Sequence, residues 1–337
     1  MTDTQLGELA HRGVPYRRAG RSGLLLPAFA LGLWHSFGET RERRAQADLI
    51  VGAFDRGITH FDNANRYGPP HGHAERVLGD VLGRELRAHR DEITISTKAG
   101  NQIAAHPYGS GASRKHLLDQ IDRSLERLGV EHVDVFYSHR HDPATPLEET
   151  AQALADIARQ GKARYIGLSN YPPEAIAAIA PLLGEAGAPV ALVQPRYSLL
   201  DRTIEREGHV LDLAETHGFG VVVYSPLAQG LLTDRYLDGA IPDDARAGRS
   251  EFLGTDFLTD DYLRRTRALA GLAESEGATT PQLALRWILR EQAVTSVLLG
   301  VSKPEQLDAN LASARIPQLG DALLAQLDEL YPDTRED

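Results

Sequence analysis

The sequence predicts a (β/α)8 TIM barrel of the α/β class, and three observations support this prediction. Short apolar runs alternate with helical patterns along a chain of 337 residues. The apolar runs contain few polar residues, which is typical of parallel strands buried on both faces. Polar side chains gather where these runs end. Because the carboxyl ends of barrel strands meet at one mouth, this arrangement favours a closed barrel with one site over an open sheet.

Eight runs are predicted as the barrel strands, and they cover residues 26–34, 57–65, 92–100, 132–140, 163–170, 190–198, 218–226 and 294–302. A β-hairpin over residues 16–26, with Gly20 and Gly23 at its turn, precedes the first of them. A long loop over residues 231–261 follows the seventh strand. Loops of that length are usually functional or disordered.

Helices are predicted between the strands. Five apolar residues recur at helical spacing, namely Leu117, Leu118, Ile121, Leu125 and Leu128. Ser113 can cap this helix and Gly129 can end it. Thr280, followed by Pro281, predicts the N-cap of another helix. Two further helical stretches are predicted over residues 142–161 and 205–217.

We expect one barrel domain over residues 16–331, with flexible termini at 1–15 and 332–337, and the composition is typical of a cytoplasmic protein. The chain is 42% hydrophobic, contains no cysteine and carries a formal net charge of −11. It has no apolar run of the length that a membrane helix needs and no secretory signal pattern at its start. The acidic charge argues against nucleic-acid binding, because attraction to phosphates needs a basic face. An anionic ligand would therefore need a local cluster of Arg and Lys.

Four polar residues at the ends of consecutive strands form a candidate catalytic group: Asp62, Tyr67, Lys98 and His139. A carbonyl reductase needs a proton donor and groups that stabilise the forming alkoxide. Tyr67 can donate the proton, and the Lys98 ammonium, held by Asp62, is expected to lower the pKa of the phenol. His139 can donate a hydrogen bond to the substrate oxygen. Taken singly, a Lys–Asp pair is often a structural salt bridge and such a tyrosine is usually a packing residue.

Three segments that contain these residues resemble the aldo-keto reductase superfamily, namely GITHFDNANRYG (57–68), STKAG (96–100) and YSH (137–139). The segments GLWHSFG, YGPP, PYGSG, TPLEET, SPLAQGLLT and SVLLG are most similar to the bacterial L-glyceraldehyde 3-phosphate reductases, which are relatives of the potassium-channel β subunits. The resemblance implies that Tyr67 is the acid, that Lys98 and Asp62 tune it, and that His139 orients the carbonyl.

The resemblance also implies NADPH as cofactor, although the G-x-G-x-x-G fingerprint of doubly wound dinucleotide folds is absent. Ser169, Asn170 and Gln194 would hold the nicotinamide amide, and Tyr224 would stack on its ring. The pyrophosphate would meet the backbone around Ser225, Pro226, Leu227, Ala228 and Gly230, together with Arg235. The adenosine would lie among Gly300, Ser302, Gln306 and Asn310, with Arg246 at the 2′-phosphate. Trp34 and Asp62 complete the cofactor positions.

The small-molecule substrate is expected to meet Trp34, His35, Tyr67 and His139, with His71 near the mouth. The function expected is reduction of small aldehydes or ketones, with L-glyceraldehyde 3-phosphate or a similar compound as substrate. Alternatives are a broad aldehyde or methylglyoxal detoxifier, a nucleotide-sensing regulatory subunit, and a lyase or isomerase on a phosphate-binding barrel. His139 favours the enzyme, because the channel subunits tend to carry Asn there. The resemblance also implies a homo-oligomer.

No metal is expected. His71 and His73, like His139 and His141, are two residues apart, a spacing that does not fit zinc sites, and no cysteine is available.

Overall fold

The computed structural model describes residues 10–241 and 257–332, and it confirms the predicted barrel. Within these ranges the strands are β1 (Ala10–His11), β2 (Val14–Arg18), β3 (Leu25–Pro27), β4 (Phe29–Gly32), β5 (His60–Asp62), β6 (Thr94–Ala99), β7 (Val133–Ser138), β8 (Ala163–Ser169), β9 (Val190–Gln194), β10 (Gly220–Val223) and β11 (Val294–Leu299). Strands β4 to β11 close the barrel in the order β10-β11-β4-β5-β6-β7-β8-β9. Every neighbouring pair is parallel.

The helices lie around the barrel and alternate with its strands. In the described ranges they are α1 (Arg43–Asp55), α2 (His73–Gly83), α3 (Arg114–Leu128), α4 (Leu147–Arg159), α5 (Pro173–Glu185), α6 (Val210–His217), α7 (Asp260–Ser275), α8 (Thr280–Ile288), α9 (Pro304–Leu311) and α10 (Asp321–Leu330). No helix in these ranges is long and apolar enough to cross a membrane.

The ends of α3 match their prediction. Ser113 accepts a hydrogen bond from the His116 amide at the start of this helix, and Gly129 takes the left-handed conformation after its end. The start of α8 is one residue earlier than predicted, because the cap is Thr279 and Thr280 is the first helical residue.

Two other predicted helices begin later than expected. Helix α4 starts five residues after the predicted position 142, because the Asp142 carboxylate instead organises a turn by accepting from the Ala144 amide and the Thr145 hydroxyl. Helix α6 starts at Val210, because a separate 3-10 turn forms at Thr203–Glu205.

The predicted hairpin closes the amino-terminal end of the barrel. Strands β2 and β3 pair antiparallel with Tyr16 opposite Pro27, and β1 adds a third strand inside the segment predicted as a terminal tail. Leu26 and Ala19 pack against side chains in the barrel interior, including Ala30 and Val222. The opposite end, where the strands carry their polar residues, is the end left for a site.

Side-chain alternation along β5 and β6 decides which residues face inward. Successive residues of a strand point to opposite faces. Ser96 and Lys98 contact Asp62, which lies inside the barrel, whereas Thr97 between them hydrogen-bonds Glu75 on the surrounding helix α2. Polar side chains that face the barrel interior are therefore two residues apart along a strand.

Candidate active site

The Lys98 ammonium lies at the centre of the predicted catalytic group. It is fully buried, and it donates to the Asp62 Oδ2 at 2.5 Å, the Asn63 carbonyl at 2.8 Å and the Tyr67 hydroxyl oxygen at 3.3 Å. An ammonium has three donors, so these bonds use all of them. Because Lys98 donates to the Tyr67 oxygen, the tyrosine's own hydrogen must point elsewhere, and it is available to a third partner.

Tyr137 forms the floor beneath Lys98. The Lys98 Nζ lies 5.7 Å from the centroid of the Tyr137 ring and 4.8 Å from that of Tyr67. Gly167 on β8 makes room for this floor, because a Cβ there would come within 2.4 Å of the Tyr137 ring. Two tyrosine rings and Asp62 therefore surround a cation that water does not reach.

Lys98 is expected to lower the pKa of Tyr67, but the net shift in this site is in the opposite direction. Burial raises the pKa of Tyr67 well above 10, and the Asp62 carboxylate raises it further. Burial also lowers the pKa of Lys98, and the nearby Asp62 opposes that shift. The charge of Asp62 offsets that of the ammonium at the phenol, so Tyr67 keeps its proton throughout the physiological range.

His139 lies beside Tyr67 as a neutral imidazole. The two ring centroids are 5.9 Å apart with the rings nearly perpendicular, and His139 is buried. Burial lowers the pKa of His139 well below 6.5, and the positive charges of Lys98 and Arg66 add to the effect. A neutral imidazole carries one N–H, which can donate a hydrogen bond without placing a second cation in the site.

The residues expected at the substrate mouth lie next to this group. The half-buried Trp34 ring is 6.2 Å from that of Tyr67 and 3.8 Å from that of the exposed His35. His71 is also exposed, and its Nδ1 donates to the Arg66 carbonyl at 3.1 Å. The structure thus brings Trp34 and His35 beside the catalytic group and places His71 against the residue that precedes Tyr67.

Four of the residues expected around the nicotinamide are linked by hydrogen bonds. The Ser169 hydroxyl donates to the Gln194 carbonyl at 2.9 Å, and the Asn170 amide donates to the His139 carbonyl at 2.9 Å. The Tyr224 hydroxyl donates to the Asn170 Oδ1 at 2.8 Å. Asn170 adopts a φ of 54°, which few non-glycine residues take. The ends of β7, β8, β9 and β10 are therefore joined at one rim.

The loop after β10 contains four residues with positive φ. Ser225, Ala228 and Gln229 have φ values of 55°, 45° and 60°, and Gly230 follows with 103°. The Ala228 and Gly230 amides donate to the Ser225 and Leu227 carbonyls, both at 2.9 Å, so the loop is closed by its own hydrogen bonds. Pro226 is buried in this loop, Leu227 is half-buried, and the exposed Arg235 lies in the 3-10 turn at Asp234–Tyr236.

Helix α9 and the turn before it carry the four residues expected around the adenosine. The exposed Gly300 follows β11, and the Gln306 Oε1 accepts from the Ser302 and Lys303 amides at 2.7 and 3.1 Å. Asn310 is buried on the same helix. Sequence reasoning did not single out Arg41, whose guanidinium donates to the Ser302 carbonyl at 2.5 Å. Arg246 lies outside the described residues.

Sequence reasoning also missed the groups that surround Asp62. The Asp62 Oδ1 accepts from the Ser96 hydroxyl at 2.7 Å and from the Gln194 amide at 3.1 Å. His60 contacts Ser96 in turn, with 3.0 Å between its Nε2 and the Ser96 Oγ. A signal was present, since His60 and Ser96 each precede a catalytic candidate by two residues in the same predicted strand. At that spacing both side chains must share the inward face.

Within the described residues, no group of three or more His, Cys, Asp or Glu side chains is arranged to hold a metal ion.

Comparison with known proteins gives a consistent result over almost the whole chain. Residues 28–332 match the model of the aldo/keto reductase family. The chain is 46% identical to L-glyceraldehyde 3-phosphate reductase from Escherichia coli O157:H7, over 94% of this chain and 92% of that protein. It is 37% identical to a putative voltage-gated potassium channel subunit beta from Schizosaccharomyces pombe, over 95% and 94% of the two chains. A probable subunit of the same name from Arabidopsis thaliana is 34% identical, over 94% and 96%.

Proposed function

This chain belongs to the aldo/keto reductase family and is an oxidoreductase that reduces aldehydes, and from that premise we propose that it uses NADPH to reduce L-glyceraldehyde 3-phosphate or a similar small aldehyde. The observation that carries the proposal is the contact between Lys98 and the hydroxyl oxygen of Tyr67, which leaves the tyrosine proton free for a substrate.

The residues around the rim fit NADPH. The resemblance assigns the pyrophosphate to the loop after β10, and the start of α9 offers the positive end of a helix dipole. Arg235, Lys303 and Arg41 supply positive charge around these two segments of an otherwise acidic protein. Tyr224 is half-buried at the end of β10, where its ring can stack on a nicotinamide. When bound, NADPH supplies the hydride for the carbonyl carbon.

The chain's own residues handle the proton. The His139 N–H and the Tyr67 O–H both donate to the carbonyl oxygen and orient it. As negative charge develops on that oxygen, Tyr67 transfers its proton. An alkoxide is a much stronger base than a phenolate, so even a phenol with a raised pKa protonates it. Lys98 then stabilises the phenolate that remains, and Asp62 holds Lys98 in place.

NADPH should be preferred over NADH. The resemblance places Arg246 at the 2′-phosphate, and an arginine can bind a phosphate through two parallel hydrogen bonds. We expect Arg246→Ala to raise KM for NADPH by about tenfold, the effect of losing about 1.4 kcal/mol of binding, and to leave KM for NADH nearly unchanged. Steady-state kinetics with both cofactors measures this. Equal kcat/KM for NADPH and NADH in the unaltered protein would contradict the preference.

The substrate proposal rests on the reductase relative and on the charge of the mouth. The exposed Arg66 acts on His139 electrostatically, and His35 lies beside Trp34 next to the catalytic group. Arg66 offers a phosphate positive charge that the net charge of −11 does not. We expect kcat/KM for L-glyceraldehyde 3-phosphate to exceed those for methylglyoxal, unphosphorylated glyceraldehyde and an aromatic aldehyde in one panel. A clearly higher value for methylglyoxal would favour the detoxifying alternative.

His139 argues against a purely regulatory role like that of the channel subunits, because the imidazole lies where a carbonyl must be oriented. Loss of NADPH absorbance with DL-glyceraldehyde distinguishes the two roles, because a regulatory subunit would bind the nucleotide with little turnover.

A further inference from the structure

We propose that His60 and Ser96 are positioning residues of this site: together they form a hydrogen-bonded chain that fixes the Asp62 carboxylate, which in turn aims Lys98 at Tyr67. The inference rests on the proposed reductase function and adds two residues to the assembly that supports its acid. Neither residue would touch the substrate or the cofactor.

The direction of every hydrogen bond in this chain follows from the chemistry of the groups. A carboxylate only accepts, so the Ser96 hydroxyl must donate to the Asp62 Oδ1. The serine hydrogen is then used, and Ser96 can only accept from the His60 Nε2 at 3.0 Å. His60 therefore carries its hydrogen on Nε2. Its Nδ1 is buried and has no hydrogen-bond partner among the described residues, which fits a bare lone pair.

His60 is neutral when it makes this bond. Its side chain is fully buried in the barrel, and burial lowers the pKa of His60 to about 4. The charges that act on it lie on β5, β6 and β7: Asp62 and Asp134 raise the pKa, whereas Lys98 lowers it. A neutral donor at this position fixes Ser96 without adding a cation that would compete with Lys98 for Asp62.

Ser96 is the donor to the Asp62 Oδ1 that has no second role at the cofactor. The other donor to this oxygen is the Gln194 amide at 3.1 Å, and Gln194 is also a residue that the resemblance assigns to the nicotinamide. A side chain that must serve the cofactor cannot alone hold the carboxylate. Strand pairing supports the same conclusion, because Asp62 lies opposite Ser96 in the parallel register of β5 and β6. Hydrogen bonds linked in a buried chain also polarise and strengthen one another.

The neighbouring Thr97 provides a matched control. Its hydroxyl lies on the same strand, but it points away from the site and hydrogen-bonds Glu75 on α2. Thr97→Val removes a buried hydroxyl of nearly the same kind without touching the chain from His60 to Tyr67. Any loss common to Thr97→Val and Ser96→Ala therefore reflects stability and not positioning.

The test uses the full-length protein with NADPH and DL-glyceraldehyde, and it measures kcat, KM, the Kd of NADPH by fluorescence, and Tm. We expect Ser96→Ala to lower kcat by about tenfold or more, the effect of one buried hydrogen bond, while the Kd of NADPH stays within about twofold. Ser96→Thr, which keeps a hydroxyl, should restore most of the activity. His60→Leu should lower kcat and His60→Gln should not, because the glutamine amide can donate from the position of Nε2.

The double variant His60→Leu/Ser96→Ala decides whether His60 acts through Ser96. Its kcat should equal that of Ser96→Ala, because without the hydroxyl His60 has nothing to position. A kcat of Ser96→Ala within twofold of the unaltered protein, a fall equal to that of Thr97→Val, or losses that multiply in the double variant would overturn the inference. If Ser96→Ala does not fold, equal kcat values for His60→Leu and His60→Gln would overturn the inference instead. Absence of turnover in the unaltered protein would instead contradict the proposed function.

Discussion

At the scale of single residues, the site depends on the balance of charge around one buried ammonium. The pKa of Tyr67 is raised and that of Lys98 is lowered, so both shifts favour the uncharged form of the side chain. The sequence suggested a lowered pKa for the phenol, because it shows that Lys98 and Tyr67 can be neighbours but not that Lys98 is fully buried and Tyr67 half-buried. Reduction then needs a neutral tyrosine next to a charged lysine.

This balance predicts the alkaline limb of the pH profile. The pKa of Lys98 lies below 10.5 in the folded protein. Activity should therefore be full at pH values below this lowered pKa, and it should fall as the pH rises through it. Lys98→Arg will be less active, since a guanidinium does not have the geometry of an ammonium, but it stays charged. The kcat that remains in Lys98→Arg should therefore fall only at a higher pH than the kcat of the unaltered protein. Profiles of kcat between about pH 6 and 10.5 measure this, and an identical limb in both proteins would assign it to another group.

At the scale of elements, a buried ion pair holds two helices behind the catalytic strand. Glu75 on α2 is fully buried and accepts from the Thr97 hydroxyl and from the Arg127 Nε, both at 2.5 Å. Thr97 precedes Lys98 on β6, so the pair braces the outer face of the strand whose inner face carries the ammonium. This pair could not be predicted, because Glu75 and Arg127 lie 52 positions apart on two amphipathic helices.

Removing one partner of this pair should be costly. Glu75→Ala leaves Arg127 and Thr97 without their acceptor, and we expect it to lower the free energy of unfolding by about 3 kcal/mol. Asp80→Ala on the same helix removes the exposed pair with Arg43, and it should cost less than about 1 kcal/mol. Urea unfolding of both variants measures the difference. Equal losses in the free energy of unfolding would mean that the burial of Glu75 does not raise the contribution of its ion pair.

At the scale of the whole molecule, the two ends of the barrel have different tasks. The hairpin fills one end with apolar side chains such as Leu26, and the other end collects the polar residues. In barrels of this kind the first end serves stability and the second serves function. The sequence predicted this division well, because all eight barrel strands lie inside the predicted runs and the polar residues follow them.

The strand ends were predicted less well, and hydrogen bonding explains why. Strand β5 ends at Asp62, three residues before the predicted end at 65. Yet the amides of Asn63 and Asn65 still bond the carbonyls of Ser96 and Lys98 at 2.8 and 3.0 Å. The chain therefore continues along its neighbour while it turns towards Tyr67. Polar residues at a strand end belong to both the sheet and the site, and no sequence pattern separates the two.

The central claim is that Tyr67 supplies the proton, and Tyr67→Phe tests it most directly because it removes only the hydroxyl. We expect kcat for aldehyde reduction to fall by about 10²-fold or more, the usual scale for general acid catalysis. The Kd of NADPH, measured by fluorescence on the same folded protein, should stay nearly unchanged, since Lys98 and Asp62 keep their ion pair at 2.5 Å. A Tyr67→Phe protein that binds NADPH and retains a near-normal kcat would contradict the mechanism.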